Sequence, residues 1–174
     1  MLSTNITAYR KQGYFAIPII GKTNSFVIKF DTGAIDSVVS IETITGALSD
    51  VQRNSIKQFI SDKKVFPKEF KSASGHSFFA YPTYLENIVI GECTFDRFFY
   101  YLVVDRLRKK RKIALLGDDF IDCCGFSKKP HGDIIISEFD FSSYKYKRKC
   151  AVNRRNTFYT ITHRILNYSA SISA

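Results

Sequence analysis

The sequence predicts an all-β domain interrupted by one inserted helix. Runs of alternating apolar residues recur at 15–20, 25–30, 65–71, 77–85, 85–90, 94–104 and 133–141, the period expected of half-buried strands. Turn formers separate them, as in Gly21-Lys22-Thr23-Asn24 and Gly91-Glu92. Helical signals are confined to two places, near 49–62 and near 118–124. At 174 residues the chain can bury a core as one domain without staples.

Residues 1–12 are polar and read as irregular. The segments 15–20 and 25–30 form the first hairpin. In its second strand Phe26, Ile28 and Phe30 fall on one face and Val27 and Lys29 on the other. Asp31 stands where that strand ends, Gly33 allows a sharp turn and a close backbone approach, and Ile35, Val38, Val39 and Ile41 resume a buried segment. Ser49 with Gln52 makes a capping box, and Ile56, Phe59 and Ile60 share a helical face, so the inserted helix ends near Asp62.

Two strands at 65–71 and 77–85 flank the small, polar tip Ser72-Ala73-Ser74-Gly75-His76. Another hairpin joins 85–90 to 94–104, where Phe95, Phe98, Phe99, Tyr100 and Tyr101 supply core. Residues 106–112 carry six basic side chains in seven positions and must be solvated. Residues 113–116 return inside, and Gly117 ends that strand. Asp118, Asp119 and Asp122 suit the positive end of the second, short helix; three acids could also hold a metal, but the dipole explains them more simply. The strand at 133–141 closes a domain spanning 1–140, with 141–174 as a basic and aromatic extension packed on it.

The net charge of +10 is concentrated in the second part of the chain. Residues 1–100 carry 11 Lys/Arg against 9 Asp/Glu, whereas residues 101–174 carry 15 against 7. In the extension, Lys145, Lys147, Arg148, Lys149, Arg154, Arg155 and Arg164 interleave with Tyr144, Tyr146, Phe158 and Tyr159. A packed aromatic face with charges outward explains this pattern; nucleic-acid binding is the alternative and is not favoured. Cys93, Cys123, Cys124 and Cys150 show no Cys-x-x-Cys or Cys/His spacing, which argues against zinc. The apolar run at 14–20 is short, contains Pro18 and lacks the features of a signal peptide, so the reading is a reducing cytoplasm with no membrane span.

The stretch FVIKFDTGAIDSVV at 26–39 carries the chemistry. A carboxylate flanked by buried strand is costly unless compensated, so Asp31 is either the start of an Asp turn or a functional acid. FDTGAID, preceded by FAIPIIGKTNSFVIK, resembles the catalytic strand and loop of the retropepsin-like aspartic proteases. KSASGHSFFAYP resembles their flap hairpin, and IALLGDDFI resembles their apolar pair and glycine before a short helix. Together these motifs span residues 14–140.

The resemblance implies an acid-protease barrel acting as an endopeptidase without a metal or cofactor. Asp31 is then catalytic, with Thr32, Gly33 and Ala34 supporting its loop. Ala73, Ser74, Gly75 and His76 form the flap over a peptide or protein substrate in extended conformation, although a turn histidine on its own implies no chemistry. Leu115, Leu116 and Gly117 pack behind the loop. An aspartic dyad needs two carboxylates, and the segment at 115–118 lacks a hydroxyl-glycine pair after its acid. The resemblance therefore implies a homodimer with one Asp31 from each copy, Thr32 bonding across the two-fold axis, and an N-terminal arm of the kind that joins an intersubunit sheet. The alternative is a catalytically silent dimerisation or binding module.

Overall fold

The computed structural model describes residues 2–12, 14–21, 25–62, 64–105, 107, 112–128 and 133–144. The strands are β1 (Leu2–Lys11), β2 (Tyr14–Ile20), β3 (Ser25–Phe30), β4 (Val38–Ser40), β5 (Lys68–Lys71), β6 (Ser77–Ile90), β7 (Cys93–Val103), β8 (Ala114–Leu116), β9 (Cys124–Lys128) and β10 (Ile134–Phe139). The helices are α1 (Ile41–Thr45), α2 (Asp50–Asp62) and α3 (Asp118–Ile121). Strands β6, β7, β4, β8, β3 and β2 neighbour one another in that order, and pairing of Ile20 with Val89 joins β2 back to β6, closing a six-stranded barrel. β1, β10 and β9 continue outward from β2, and β5 extends from β6.

The barrel follows from the alternation in its strands. Pairing of β2 with β3, from Phe15 opposite Phe30 to Ile20 opposite Ser25, places Ile17, Ile19, Phe26 and Ile28 in the core and leaves Pro18 and Val27 outside. Beside these residues lies an aromatic group in which the Phe120 and Phe139 rings are 4.7 Å apart and Phe95 stands 5.1 Å from Phe139. Each such ring taken out of water contributes about 2 kcal/mol. The chain 141–144 forms a helical turn whose Tyr144 is buried in this group, and the Tyr144 hydroxyl accepts the Phe99 N–H at 2.9 Å. Asp140 starts the turn: its Oδ1 accepts the Ser142 and Ser143 amides, and the Ser143 hydroxyl on Oδ2 leads the interactions that hold its carboxyl below the usual range. Residues 145–174, with the basic cluster read from the sequence, lie outside the described residues, as do Arg106 and 108–111 of the other basic run.

Several elements differ from their sequence reading. The N-terminal residues are not irregular: β1 pairs with β10 of the same chain, from Leu2 opposite Phe139 to Ala8 opposite Ile134, and then with β2. Thr4, Ile6 and Ala8 line its buried side, and Thr4 survives there because its hydroxyl donates to the Ile136 carbonyl at 2.8 Å. The strand read at 65–71 begins only at Lys68, after Pro67, which lacks an N–H for the ladder. The two strands read at 77–85 and 85–90 are one, β6. The helix read near 118–124 ends at Ile121, and Cys124 already opens β9, which the sequence did not reveal. Ile35, read as part of a buried segment, is 77% exposed, because the turn at 31–37 delays burial to β4.

The inserted helix matches its reading closely. Ser49 N donates to Gln52 Oε1 at 2.8 Å and Gln52 N to Ser49 Oγ at 3.2 Å, the reciprocal capping box. Ile56 and Ile60 are buried, and between them and the N-terminus Arg53 is buried as well. Its guanidinium donates to the Val104 carbonyl at 2.7 Å and pairs with Glu42 of α1, tying both helices to the end of β7. Glu42→Ala leaves this cation without its countercharge and lowers the unfolding free energy by about 3 kcal/mol, measurable in urea. The Ser49→Ala change at the exposed cap costs about 1 kcal/mol by the same measurement.

Candidate active site

Asp31 follows the last residue of β3, so a rigid barrel strand delivers it to the barrel's end. Its side chain remains 27% exposed. The Gly33 amide donates to Oδ1 at 3.1 Å, and a Cβ at position 33 would stand 3.3 Å from the same oxygen, so glycine allows the amide its approach. Oδ2 accepts Lys29 Nζ at 3.0 Å. Thr32 and Gly33 are exposed, and Ala34 is half-buried, its amide donating to the Asp31 carbonyl at 3.1 Å. The loop thus presents a hydrogen-bonded carboxylate outward on a closed turn.

What fixes the loop comes from the other half of the chain. Parallel pairing of β3 with β8 sets Lys29 beside Leu115 and Phe30 beside Leu116, and the Asp31 amide donates to the Leu116 carbonyl at 3.0 Å. Leu116 is fully buried and Leu115 half-buried. Gly117 then passes so close to the loop that a Cβ there would lie 2.5 Å from the Asp36 carbonyl carbon and 2.7 Å from the Ala34 oxygen. Only glycine permits this contact. The amides of Asp118 and Asp119 continue it by donating to the Ala34 and Ile35 carbonyls at 2.8 and 3.1 Å.

Ser37 and Asp119 form the part of the site that sequence reasoning missed. The Ser37 hydroxyl donates to Asp119 Oδ1 at 2.6 Å, its amide donates to the same oxygen at 3.0 Å, and its Oγ accepts the Gly117 amide at 3.1 Å. The serine is fully buried and has all these groups satisfied. Asp119 therefore does more than complement a helix dipole: it clamps α3 to the loop. The only signal in the sequence was a serine among apolar residues, which did not name its partner 82 positions away.

The residues 72–76 form the tip of the β5–β6 hairpin, paired from Lys68 opposite Ala80 to Lys71 opposite Ser77. The tip closes on itself: Ser72 N donates to the His76 carbonyl at 2.9 Å, Gly75 N to the Ser72 carbonyl at 2.8 Å, and Ser74 Oγ lies 3.0 Å from His76 Nδ1. Gly75 has φ +80°, and Ala73, Ser74, Gly75 and His76 are all exposed. At the base, Lys68 pairs with Asp36 and lies over the Phe70 and Tyr101 rings at 5.2 and 5.4 Å. That contact links the hairpin to the Asp31 loop. Gly117→Ala forces the loop and α3 apart and lowers stability by about 3 kcal/mol in urea unfolding, whereas Gly125→Ala, whose Cβ would meet only the Glu138 side chain at 3.2 Å, costs much less.

No protein-family model matches the chain, and no curated protein matches it in sequence. Among the described residues no helix is long and apolar enough to cross a membrane. Among solved structures, the fold is similar to a crystal structure of a retropepsin-like aspartic protease from Rickettsia conorii, with a TM-score of 0.50, 21% identity and coverage of 79% of this chain and 92% of that one. The architecture is therefore a mostly β, retropepsin-like barrel with few short helices.

Proposed function

We propose that the chain is an aspartic endopeptidase whose active form is a homodimer. The observation that carries this reading is Asp31 itself: an accessible carboxylate at a barrel strand end, one oxygen on the Gly33 amide and its backbone fixed by Leu116. Such a group suits acid–base work on a peptide, which needs a second carboxyl beside it. Asp119 is bonded to Ser37, and the segment at 115–118 lacks a hydroxyl-glycine pair after its acid, which favours the Asp31 of another copy as the second carboxyl. Support for that contact comes from the loop surface, where Thr32 and Gly33 are exposed and Ile35 offers an apolar side chain 77% open to water. Because β1 is paired within its own chain, the contact centres on this loop and on Thr32 across the two-fold axis.

The chemistry follows from two carboxyls that share one proton. The ionised Asp31 takes a proton from water as the water oxygen bonds to the scissile carbonyl carbon. The protonated Asp31 of the second copy gives its proton to the carbonyl oxygen. The tetrahedral intermediate then returns a hydroxyl proton to the dyad, the nitrogen takes one up, and the C–N bond breaks. The hairpin tip, with Gly75 at positive φ, closes over an extended substrate and excludes water, while Lys68 and Asp36 hold its base. The cysteine spacing, without Cys-x-x-Cys, suits a reducing, cytoplasmic setting.

Asp31→Asn tests the reading: peptide-library cleavage falls at least about a thousandfold while the melting temperature is retained, because an amide cannot pass the proton. Normal cleavage by the Asn variant overturns the mechanism, and absence of cleavage by the wild type leaves a binding module as the better description. The wild-type rate profile is bell-shaped in pH, since both the fully protonated and the fully ionised dyad are inactive. Specific activity also falls on dilution through the dimer dissociation constant, and excess Asp31→Asn chain suppresses the wild type by forming mixed dimers. Activity per chain that is independent of concentration excludes the shared dyad.

A further inference from the structure

Beside Asp31 the end of the barrel carries a cation that the mechanism above does not use. Lys29 lies two residues before Asp31, so both side chains stand on one side of β3. Ala16 is opposite Lys29 in the β2–β3 ladder and Tyr14 lies two residues before Ala16, so Tyr14 shares that side. The Lys29 ammonium donates to Asp31 Oδ2 at 3.0 Å, while Gly33 holds Oδ1, and it sits 5.8 Å from the centre of the half-buried Tyr14 ring. An ammonium has three N–H groups, and with 41% of its side chain exposed Lys29 has donors left for a ligand.

The other charges near the loop are engaged in the fold. Asp36 pairs with Lys68 of β5, Asp119 holds Ser37, and Asp118 stands in the first turn of α3, where the helix dipole favours a carboxylate. β8 contributes only the apolar Ala114, Leu115 and Leu116. What a peptide laid across Asp31 meets is therefore the pair of Lys29 and Asp31, and a count of charges gives its sign. In one copy the pair is neutral. In the dyad read above, two Asp31 side chains share one proton and carry one negative charge between them, whereas the two copies bring two ammoniums. The centre then has a positive charge in surplus.

We propose that Lys29 is a specificity-determining residue that selects peptides with an aspartate or glutamate beside the scissile bond. The inference deepens the reading of Asp31 as half of a catalytic dyad and rests on it. Lys29 Nζ is one hydrogen bond from Asp31, and the dyad is one hydrogen bond from the reacting water and carbonyl. The ammonium is thus within reach of a carboxylate on either residue that the bond joins. In an extended substrate those two side chains point to opposite sides, and the two-fold axis sets one Lys29 on each side. A carboxylate there gains a charge-assisted hydrogen bond and takes up the surplus charge. A lysine or arginine meets a like charge instead, and a leucine or phenylalanine covers the ammonium and removes it from water without replacing its bonds.

The test selects peptides from a random-sequence library by wild-type cleavage, identifies the cut sites, and compares kcat/KM on matched peptides with Glu, Gln, Leu or Lys beside the scissile bond. The expected result is enrichment of Asp and Glu at a flanking position, with kcat/KM for Glu about tenfold above that for Gln and a ratio that shrinks as salt is raised. In the neutral variants Lys29→Met and Lys29→Gln the Glu-to-Gln ratio falls to about one, whereas Lys29→Arg, which keeps the cation, retains most of the preference. Each ratio is taken within one protein, so a general loss of activity in a variant cancels, and a merely structural lysine leaves the ratio unmoved. A wild-type ratio near unity, or a Glu preference that survives both neutral variants, overturns the proposal while the protease reading stands. An absence of Asp31-dependent cleavage of the whole library by wild type overturns the protease reading, and the proposal with it.

Discussion

The close passage of Gly117 against the backbone of residues 34–36 is the constraint on which the rest of the site depends. Two segments more than 80 residues apart approach to a distance at which a single Cβ would collide with main chain, and main chain cannot be moved aside by a change of rotamer. The contact brings the carbonyls of Ala34 and Ile35 within reach of the first amides of α3, and the Leu116 carbonyl within reach of the Asp31 amide. It also leaves Ser37 no water, so its hydroxyl must find protein partners, which Asp119 and Gly117 supply. The bonds that tie the 31–37 backbone to residues 116–119 thus accompany one close steric contact.

Barrel closure makes that constraint useful. β3 and β4 both pair with β8, one parallel and one antiparallel, so the two ends of the 31–37 turn are anchored to the same short strand. A carboxylate on such a turn keeps its direction without a large local energy term, because the barrel strands already hold the flanking residues. The β5–β6 hairpin has the opposite character. Its tip bonds to itself, and its base is attached through the small apolar group of Val38, Ala80 and Val103 with Phe70, Phe78 and Tyr101, together with the pair of Lys68 and Asp36. A carboxylate on a strand-anchored turn and a self-contained hairpin attached to the same loop are the arrangement that the proposed substrate closure would use.

Legibility in the sequence depended on whether the decisive information was local. The β2–β3 hairpin, the capping box of α2 and the turn after Asp31 are written in adjacent residues and could be read from them. β1 was missed because Thr4 occupies a buried position that an apolar pattern leaves blank, and its compensation, the Ile136 carbonyl, lies 132 residues away. β9 was missed because Cys124, Gly125 and Ser127 give almost no alternation; its pairing with β10 organises it. Ile35 was misplaced because hydrophobicity alone does not reveal which side of a turn a residue faces. Asp119 was read as a helix acid because its true partner is fixed only by the tertiary contact at Gly117.

Charge at the proposed dimer axis responds to the same geometry. In one copy, Asp31 and Lys29 face water and their attraction is screened, which is why a lysine on an outer strand position costs the fold little. When a second copy and a closed hairpin remove that water, the repulsion between the two carboxylates and the attraction of each to its own ammonium strengthen together, since both scale inversely with the local dielectric. Desolvation penalises these charges, but each Asp31 side chain already has an amide on one oxygen and an ammonium on the other, so the charges enter the interface paired. The strand that delivers Asp31 also delivers its counter-ion, so in the proposed dimer both charges of each copy come from the same short stretch, Lys29 to Gly33.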